Sequence, residues 1–316
     1  MKDIILIGSS SFGISSPAVK MLNEAVVSTK VNVVHRSNSA PVPLLDITGI
    51  IAGTEKYDKL SLDCMPNLKV ISRMGVGLDH IDLEYCAAHG IIVTYTPYGP
   101  TASVAEITIG FMISLLRNMH LSNIDLHLEK WDKRMGRQFS EVNIGILGLG
   151  RIGSEVVRLL SAFNPKRIYA CDIDSSKLRP LGTSLGFVGI AELFRRCDLV
   201  SLHIPLGKAN SRLIDKILFN LMKPNSFIIN TSRGALINED HLYDALTTGT
   251  MAGAAIDVFE KEPYYGQLTQ LKNVIVSPHV SSMTSTARDR MEMGAVEDCL
   301  RVLSNQHPIN EVSYEL

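Results

Sequence analysis

Short runs of β-branched and other apolar residues alternate with helical stretches along almost the whole chain. Eleven such runs are predicted strands, at 4–7, 31–35, 49–52, 70–72, 91–93, 142–147, 167–171, 199–203, 227–230, 254–257 and 274–277. Helical stretches of roughly ten residues or more separate most of these runs. Because strands that alternate with helices form parallel sheets covered by helices on both faces, the sequence predicts an α/β fold.

The predicted strands fall into two groups, which indicates two lobes. The chain has 316 residues, too many for one ordinary hydrophobic core and suited to two domains of typical size. Five strands precede Tyr95, and six begin at or after Val142. A long helical region, from Thr101 to about Lys130, separates the groups, and a last helix is predicted at about 283–303.

Composition narrows the partners that this chain could have. With 31 basic and 32 acidic residues, the formal net charge is −1, which gives no support for a nucleic-acid or anionic-membrane partner. The apolar stretch 102–119 contains Glu106 and Arg117, so it predicts a buried helix rather than a membrane span. Five scattered cysteines without a C-x-x-C pair predict free thiols in a reducing, cytoplasmic compartment and no metal site.

A glycine-rich turn joins a predicted strand to a predicted helix in the segment VNIGILGLGRIG, at 142–153. Gly148 permits a tight turn, Gly150 lets the backbone approach a pyrophosphate, and Gly153 lets the helix pack closely on the strand. The free N–H groups and the positive dipole end of the helix would bind the phosphates. This arrangement predicts a dinucleotide site.

The next predicted strand ends at Asp172, which lies 172 − 153 = 19 residues after the last glycine. A carboxylate at this position accepts hydrogen bonds from ribose hydroxyls and repels a 2′-phosphate, which favours NAD over NADP. The alternative is a glycine-rich turn followed by a surface aspartate, with no ligand.

Seven short motifs follow one another in a fixed order. They are RMGVGLD at 73–79, SVAE at 103–106, the glycine turn, LHIP at 202–205, NTSRG at 230–234, AIDVF at 255–259 with Glu262-Pro263, and SPH at 277–279. Over nearly the whole chain they resemble the D-isomer-specific 2-hydroxyacid dehydrogenases, most closely phosphoglycerate-dehydrogenase-like members without a regulatory domain.

The resemblance implies two Rossmann-like lobes and a domain order. A discontinuous substrate domain would comprise 1–97 and 290–316, and an inserted dinucleotide-binding domain would comprise 98–289. The resemblance also implies a homodimer formed through the long helical region of the cofactor domain.

The resemblance also implies roles for single residues. Arg233 matches the arginine that grips the substrate carboxylate and carbonyl oxygen, His279 the acid/base histidine, and Glu262 its carboxylate partner. Further cofactor contacts are implied at Arg151, Ile152, Pro205, Thr231 and Asp257, with Asp257 holding the nicotinamide carboxamide. Substrate contacts are expected at Arg73 and at the backbone of Val76 and Gly77.

The reaction explains why these residue types are needed. When a hydride passes from dihydronicotinamide to C2 of a 2-keto acid, negative charge develops on the carbonyl oxygen. His279 can deliver a proton near neutrality, and a neighbouring Glu262 would favour the charged imidazolium. Arg233 stays charged and offers paired donors to the substrate. We therefore expect an NAD-dependent oxidoreductase that acts on a small D-2-hydroxy or 2-keto acid.

The substrate and the alternatives remain open at this point. Phosphoglycerate dehydrogenases commonly carry an arginine on an early loop for the substrate phosphate, and the matching position here holds Ala52. Thr54, Lys56 or Arg73 could take its place. A non-catalytic NAD-sensing protein on the same fold is the main alternative. Formate or phosphite oxidation is a third, although formate enzymes carry a glutamine where Glu262 stands.

Overall fold

The computed structural model describes residues 2–28, 31–35, 44–177 and 185–313. The chain divides into two compact units. The first unit comprises Met1–Pro100 and Met283–Leu316, and the second comprises Thr101–Ser282. The domain boundaries expected from the resemblance, after 97 and after 289, differ from these by three and seven residues.

The first unit contains a five-stranded parallel sheet in the order β2-β1-β3-β4-β5. Its strands are β1 (Asp3–Ile7), β2 (Val31–His35), β3 (Gly49–Ala52), β4 (Val70–Arg73) and β5 (Ile92–Thr94). Its helices are α1 (Ser16–Val27), α2 (Lys59–Leu62), α3 (Leu83–Ala88) and, in chain order, α10 (Ser285–Leu303). Alternate residues of β1 face opposite sides, so Ile5 and Ile7 pack with α1 and α10 while Leu6 joins the core on the other face.

The second unit contains a seven-stranded parallel sheet in the order β12-β11-β10-β9-β6-β7-β8. Its strands are β6 (Asn143–Leu147), β7 (Arg167–Cys171), β8 (Leu185–Phe187), β9 (Leu199–Leu202), β10 (Phe227–Asn230), β11 (Gly253–Ile256) and β12 (Val274–Val276). Its helices are α4 (Thr101–Leu116), α5 (Met119–His127), α6 (Arg151–Leu160), α7 (Ile190–Arg196), α8 (Lys216–Phe219) and α9 (Glu239–Thr247). Apolar clusters cover both faces of this sheet, which explains why its central strands are continuously hydrophobic.

The predicted α/β class with two Rossmann-like parallel sheets is confirmed. All eleven predicted strands form; four keep their predicted bounds, and the ends of the others shift by no more than one residue. The strand β8 was not predicted, because it has three residues, includes Gly186 and occupies the sheet edge. The long helical region expected from Thr101 to about Lys130 forms as two helices and ends at His127. It divides into α4 and α5 at Asn118, whose φ of 53° is a left-handed conformation that asparagine tolerates.

Within the described parts of the chain, no helix combines the length and apolarity that crossing a bilayer requires. Within the same parts, no group of three or more His, Cys, Asp and Glu side chains is arranged to hold a metal ion.

Candidate active site

The turn after β12 presents His279. Its φ is 54°, and its backbone N–H donates to the carbonyl of Asp257 at 2.8 Å. The ring Nδ1 lies 2.8 Å from Oε2 of Glu262. The two side chains are 35% and 33% exposed, so the pair is accessible to a small molecule while being partly shielded from water.

Glu262 is held in its charged form by its surroundings. Burial disfavours the carboxylate, but this effect is outweighed by the hydrogen bond and positive charge of His279, by the N–H of Phe259 and by the charge of Arg233. The pKa of Glu262 therefore lies below its ordinary value. The other carboxylate oxygen, Oε1, accepts from Phe259 N–H at 3.0 Å, which fixes the orientation that Oε2 presents to the histidine.

Arg233 lies on the turn after β10. Its Nη1 donates to the carbonyl of Ser232 at 2.6 Å. The Ser232 hydroxyl in turn donates to the carbonyl of Ile204 at 2.7 Å, which ties this turn to the end of the neighbouring strand. Since Arg233 acts electrostatically on Glu262, the structure brings Arg233, Glu262 and His279 into one neighbourhood of the second unit.

Asp257 is fully buried at the end of β11 and faces the histidine turn. Its Oδ1 accepts from Ser277 Oγ at 2.5 Å and Val280 N–H at 2.9 Å. Its Oδ2 accepts from Ser281 N–H at 3.0 Å and Ser281 Oγ at 2.5 Å. A carboxylate has about four acceptor sites, so these four donors use them all. In this way the carboxylate organises the backbone around His279, and the expected contact with the nicotinamide carboxamide stays a prediction.

The glycine turn has the geometry that a dinucleotide needs. Gly148 has a φ of 98°, and Gly150 caps the N-terminus of α6. A Cβ on Gly153 would lie 1.9 Å from the carbonyl oxygen of Gly148, whereas a Cβ on Gly150 would meet no protein atom within 4 Å. Gly153 is therefore required by the packing of the fold, while the backbone at Gly150 is open to a ligand. The residues present thus fit a bound pyrophosphate.

Asp172 lies at the end of β7 with several donors already on its carboxylate. Oδ2 accepts from Leu149 N–H, inside the glycine turn, at 2.6 Å. Oδ1 accepts from Asp174 N–H and Lys177 Nζ, both at 2.9 Å. Burial opposes ionisation, but these hydrogen bonds and the lysine charge keep the pKa of Asp172 below its ordinary value. The carboxylate is charged and adjoins the glycine turn, as an NAD ribose site requires.

The remaining cofactor candidates surround the same edge of the sheet. Arg151 is exposed and Ile152 half-buried in the first turn of α6. Pro205 is exposed after β9, and its carbonyl accepts from Asn210 Nδ2 at 2.8 Å. Thr231 is buried, with its Oγ1 3.3 Å from that of Thr108 on α4.

His203 is half-buried where β9 meets the glycine turn. Its Nε2 lies 2.9 Å from Ser201 Oγ, and burial lowers the pKa of the ring to about 3. The imidazole is therefore neutral at physiological pH.

The substrate candidates of the first unit lie on the loop after β4. Val76 and Gly77 are half-buried, and Arg73 is only 7% exposed. The Arg73 guanidinium donates through Nε to the carbonyl of Gly77 at 3.1 Å and through Nη1 to the carbonyl of Met74. These bonds from the Arg73 guanidinium stabilise the conformation of the loop 74–77.

Sequence reasoning assigned no role to Asn230, Ser277 or Ser281, which support the turns described above. Asn230 and Ser277 belong to the motifs NTSRG and SPH, but no pattern in the sequence indicated which groups these three side chains would bond.

Comparison with known proteins gives a consistent result. Residues 109–281 match the family model described as D-isomer specific 2-hydroxyacid dehydrogenase, NAD binding domain. A glyoxylate reductase of Thermofilum pendens is 36% identical over 272 residues, which cover 83% of this chain and 80% of that protein. A D-3-phosphoglycerate dehydrogenase of Methanocaldococcus jannaschii is also 36% identical over 272 residues, which cover 85% of this chain and 52% of that protein. The crystal structure of D-lactate dehydrogenase from Aquifex aeolicus with NAD and lactic acid has a TM-score of 0.86 and 26% identity, and the match covers 98% of this chain and 99% of that chain.

Two parallel sheets and a dinucleotide turn, with arginine, glutamate and histidine at strand ends, define a nicotinamide-dependent dehydrogenase. The chain belongs to the D-isomer-specific 2-hydroxyacid dehydrogenases. It is an oxidoreductase that uses NAD and acts on the CH–OH group of small 2-hydroxy acids. The predicted family, enzyme class and cofactor are confirmed, and catalysis is favoured over a non-catalytic NAD sensor.

Proposed function

We propose that this enzyme interconverts a short, unphosphorylated 2-keto acid and its D-2-hydroxy acid, with Arg233, Glu262 and His279 as the catalytic group. The observation that supports this most directly is the 2.8 Å contact between His279 Nδ1 and a charged Glu262, beside the positive charge of Arg233. An imidazole held in this way by a carboxylate has its other nitrogen, Nε2, available to exchange a proton with substrate.

Each catalytic side chain meets one requirement of the reaction. His279 delivers a proton to the carbonyl oxygen during reduction and removes it during oxidation. Glu262 stabilises the imidazolium and fixes the ring. Arg233 binds the substrate carboxylate and polarises the carbonyl, because its guanidinium is planar and always charged.

The second unit supplies the cofactor site in this proposal. Gly148, Gly150 and Gly153, with the N-terminus of α6, would hold the pyrophosphate of NAD, and Asp172 would accept from the adenosine ribose. Arg151, Ile152, Pro205 and Thr231 would provide further contacts. When bound, the nicotinamide supplies or accepts the hydride.

The charges of the first unit support a substrate without phosphate. We propose that the backbone of Val76 and Gly77 binds the substrate carboxylate. Arg73 is engaged by loop carbonyls, as shown above, and Lys56 Nζ pairs with Asp58 Oδ2 at 2.9 Å. On the loop after β3, Glu55 adds a carboxylate, whose Oε2 accepts from Gly53 N–H at 2.8 Å. These described residues present carbonyls and a carboxylate, which disfavour a second anionic group on the substrate.

The proposal is tested by following NADH consumption at 340 nm with glyoxylate, hydroxypyruvate and 3-phosphohydroxypyruvate. We expect kcat/KM for the better of the first two to exceed that for the phosphorylated acid by at least about 50-fold. Turnover with none of a broad keto-acid panel would contradict the proposed reaction. A preference for the phosphorylated acid would contradict only the proposed substrate class.

Two charge variants separate a local effect of Glu55 from a change in overall charge. Glu55→Gln should raise kcat/KM for 3-phosphohydroxypyruvate about 3-fold to 10-fold and leave hydroxypyruvate within about twofold. Glu24→Gln is the matched control, since Glu24 lies on α1 beside Asp3 and Val31, at the amino-terminal edge of the sheet. It should change neither value.

We further propose that two copies associate through α5 and the segment that follows it. Large apolar side chains are exposed there at Met119, Leu126, Leu128, Trp131 and Met135, with Trp131 79% and Met135 93% accessible. Exposed apolar residues concentrated in this way favour a protein–protein contact.

We also propose a cytoplasmic location for the enzyme, because its five cysteines are free thiols.

A further inference from the structure

Asn230, the last residue of β10, is fully buried and bonds to both sides of the turn that carries Arg233. Its Oδ1 accepts from Ser232 N–H at 3.0 Å, and its Nδ2 donates to the carbonyl of Arg233 at 2.8 Å. One amide therefore satisfies a donor and an acceptor of the same turn. An alanine here would leave both backbone groups without this partner.

The same residue is linked to the histidine turn through the neighbouring strand. The backbone carbonyl of Asn230 accepts from Asp257 N–H at 3.0 Å. The carbonyl of Asp257 accepts from His279 N–H at 2.8 Å, and its carboxylate binds the two residues that follow His279. A continuous chain of hydrogen bonds thus runs from the Arg233 turn through the buried Asn230 and Asp257 to the His279 turn.

This chain matters because the arginine side chain is long and has many rotamers. Its guanidinium is held by a bond from Nη1 to the carbonyl of Ser232, so its position follows the backbone of the turn. Catalytic groups must be held within about 0.5 Å of their productive geometry, and such precision comes from the groups that support them.

We infer that Asn230 is a positioning residue for Arg233, and that Asn230 and Asp257 together set the spacing between the guanidinium and the imidazole. This inference rests on the proposed function of Arg233. Asn230 touches neither substrate nor cofactor in this role; it acts through Arg233.

The test is a double-mutant cycle with Asn230→Ala and Arg233→Ala, measured as kcat/KM for the best keto acid of the panel. In the wild-type background, Asn230→Ala should lower kcat/KM by about 30-fold or more. In the Arg233→Ala background, the same substitution should lower the remaining kcat/KM by less than about threefold. Equal factors in the two backgrounds would show that Asn230 has only a general structural role and would overturn the inference.

Two binding measurements distinguish mispositioning from unfolding. The Kd of NADH for Asn230→Ala should stay within about threefold of wild type, while the Kd of oxalate, an unreactive dicarboxylate probe for Arg233, should rise at least about tenfold. Parallel weakening of both ligands would overturn the inference. The control Asn273→Ala, which removes an amide bonded to the carbonyl of Ala252 at the amino-terminal end of the sheet, should leave both Kd values unchanged.

A second variant keeps the test decisive if Asn230→Ala does not fold. Asn230→Asp retains the acceptor for Ser232 and loses the donor to Arg233, so it should lower kcat/KM in the same background-dependent way. A value of kcat/KM for Arg233→Ala within about tenfold of wild type would overturn the proposed role of Arg233 and this inference with it. The measurements therefore distinguish a failure of the proposed role of Arg233 from a failure of the inference about Asn230.

Discussion

Two partly exposed titratable side chains near the proposed site show how local partners decide charge. Burial opposes ionisation at both Glu262 and His203. At Glu262, hydrogen bonds and two cations outweigh burial, and the carboxylate is charged. At His203, burial acts without a charged partner, and the ring is neutral. The charged residue is suited to catalysis and the neutral one to packing against the glycine turn.

At the residue scale, His279→Ala should lower kcat/KM for keto-acid reduction by about 10² to 10⁴, the usual contribution of a general acid. Steady-state rates with NADH at pH 7 measure this effect, with exposed His307→Ala as the control. A loss smaller than about tenfold would contradict the proposed role of His279 as proton donor.

The same role predicts how the rate of the wild-type enzyme depends on pH. Keto-acid reduction should slow as pH rises because it needs the imidazolium, while hydroxy-acid oxidation should speed up. Identical pH profiles in the two directions would contradict this assignment.

A second residue-scale prediction concerns acid stability. The pKa of His203 is about 3 in the folded protein and about 6.5 when unfolded, so protonation favours the unfolded state. The stabilisation is fully present above pH 6.5 and is lost as pH falls towards 3, by at most about 1.4 kcal/mol per pH unit. Urea unfolding of His203→Gln between pH 7 and 5 should show a shallower loss than wild type. His307→Gln should retain the wild-type slope, and equal slopes in all three proteins would refute the prediction.

At the scale of elements, the strand–turn–helix unit β6–α6 contains one glycine that the packing of the fold requires and one that only a bound ligand would require. Gly153 is needed because α6 packs against the carbonyl of Gly148, and Gly150 is needed only if a ligand approaches it. The helix α6 begins at Arg151, so its free N–H groups face the space beside Gly150. The fold and the cofactor site therefore depend on different positions of one motif.

The pair Gly150→Ala and Gly153→Ala separates these demands. Gly150→Ala should leave Tm within a few degrees of wild type and raise the Kd of NADH at least about tenfold, since its new methyl group meets only the ligand. Gly153→Ala should lower Tm as well, because its methyl group would lie 1.9 Å from a carbonyl oxygen. Calorimetry and NADH titration provide the measurements. Unchanged NADH binding in Gly150→Ala would place the pyrophosphate elsewhere.

At the scale of the whole molecule, each unit has its own sheet and core, and the chain enters and leaves the second unit once. The last helix, α10, returns to the first unit and packs on its sheet, where Cys299 lies close to Gly49. The ion pair between Arg288 and Glu292 is buried in this helix, and Glu292 also accepts from Gly13 N–H at 2.9 Å and Ser15 N–H at 3.2 Å. These bonds fix the N-terminal loop after β1 to the C-terminal helix.

The proposed dimer gives a prediction at this scale. The monomer mass is 34.7 kDa, so light scattering should give about 69 kDa for the wild type. Trp131→Glu should shift the mass towards the monomer, because a carboxylate buried in an apolar contact lacks a partner. Ile217→Glu, an exposed apolar site on α8, is the control and should remain dimeric. A monomeric wild type would rule out the proposed contact.

The sequence by itself determined the α/β class, the dinucleotide turn and the identity of the residues at the strand ends. These features are local: strand and helix periodicities, and the glycine spacing at 148, 150 and 153, depend on neighbours within a few residues. The resemblance then selected Arg233, Glu262 and His279 from many arginines, glutamates and histidines, which periodicity could not do.

Only the tertiary structure decided where the polar side chains point. Asp257 bonds to Ser281, 24 residues away, and Arg73 bonds to the carbonyl of Gly77 on its own loop. Asn118 lies between α4 and α5 and divides the helical stretch in two. These outcomes follow from which buried donors and acceptors come together when strands distant in sequence become neighbours, and every such group must then find a partner. That pairing is a property of the packed sheet, and no local pattern in the chain specifies it.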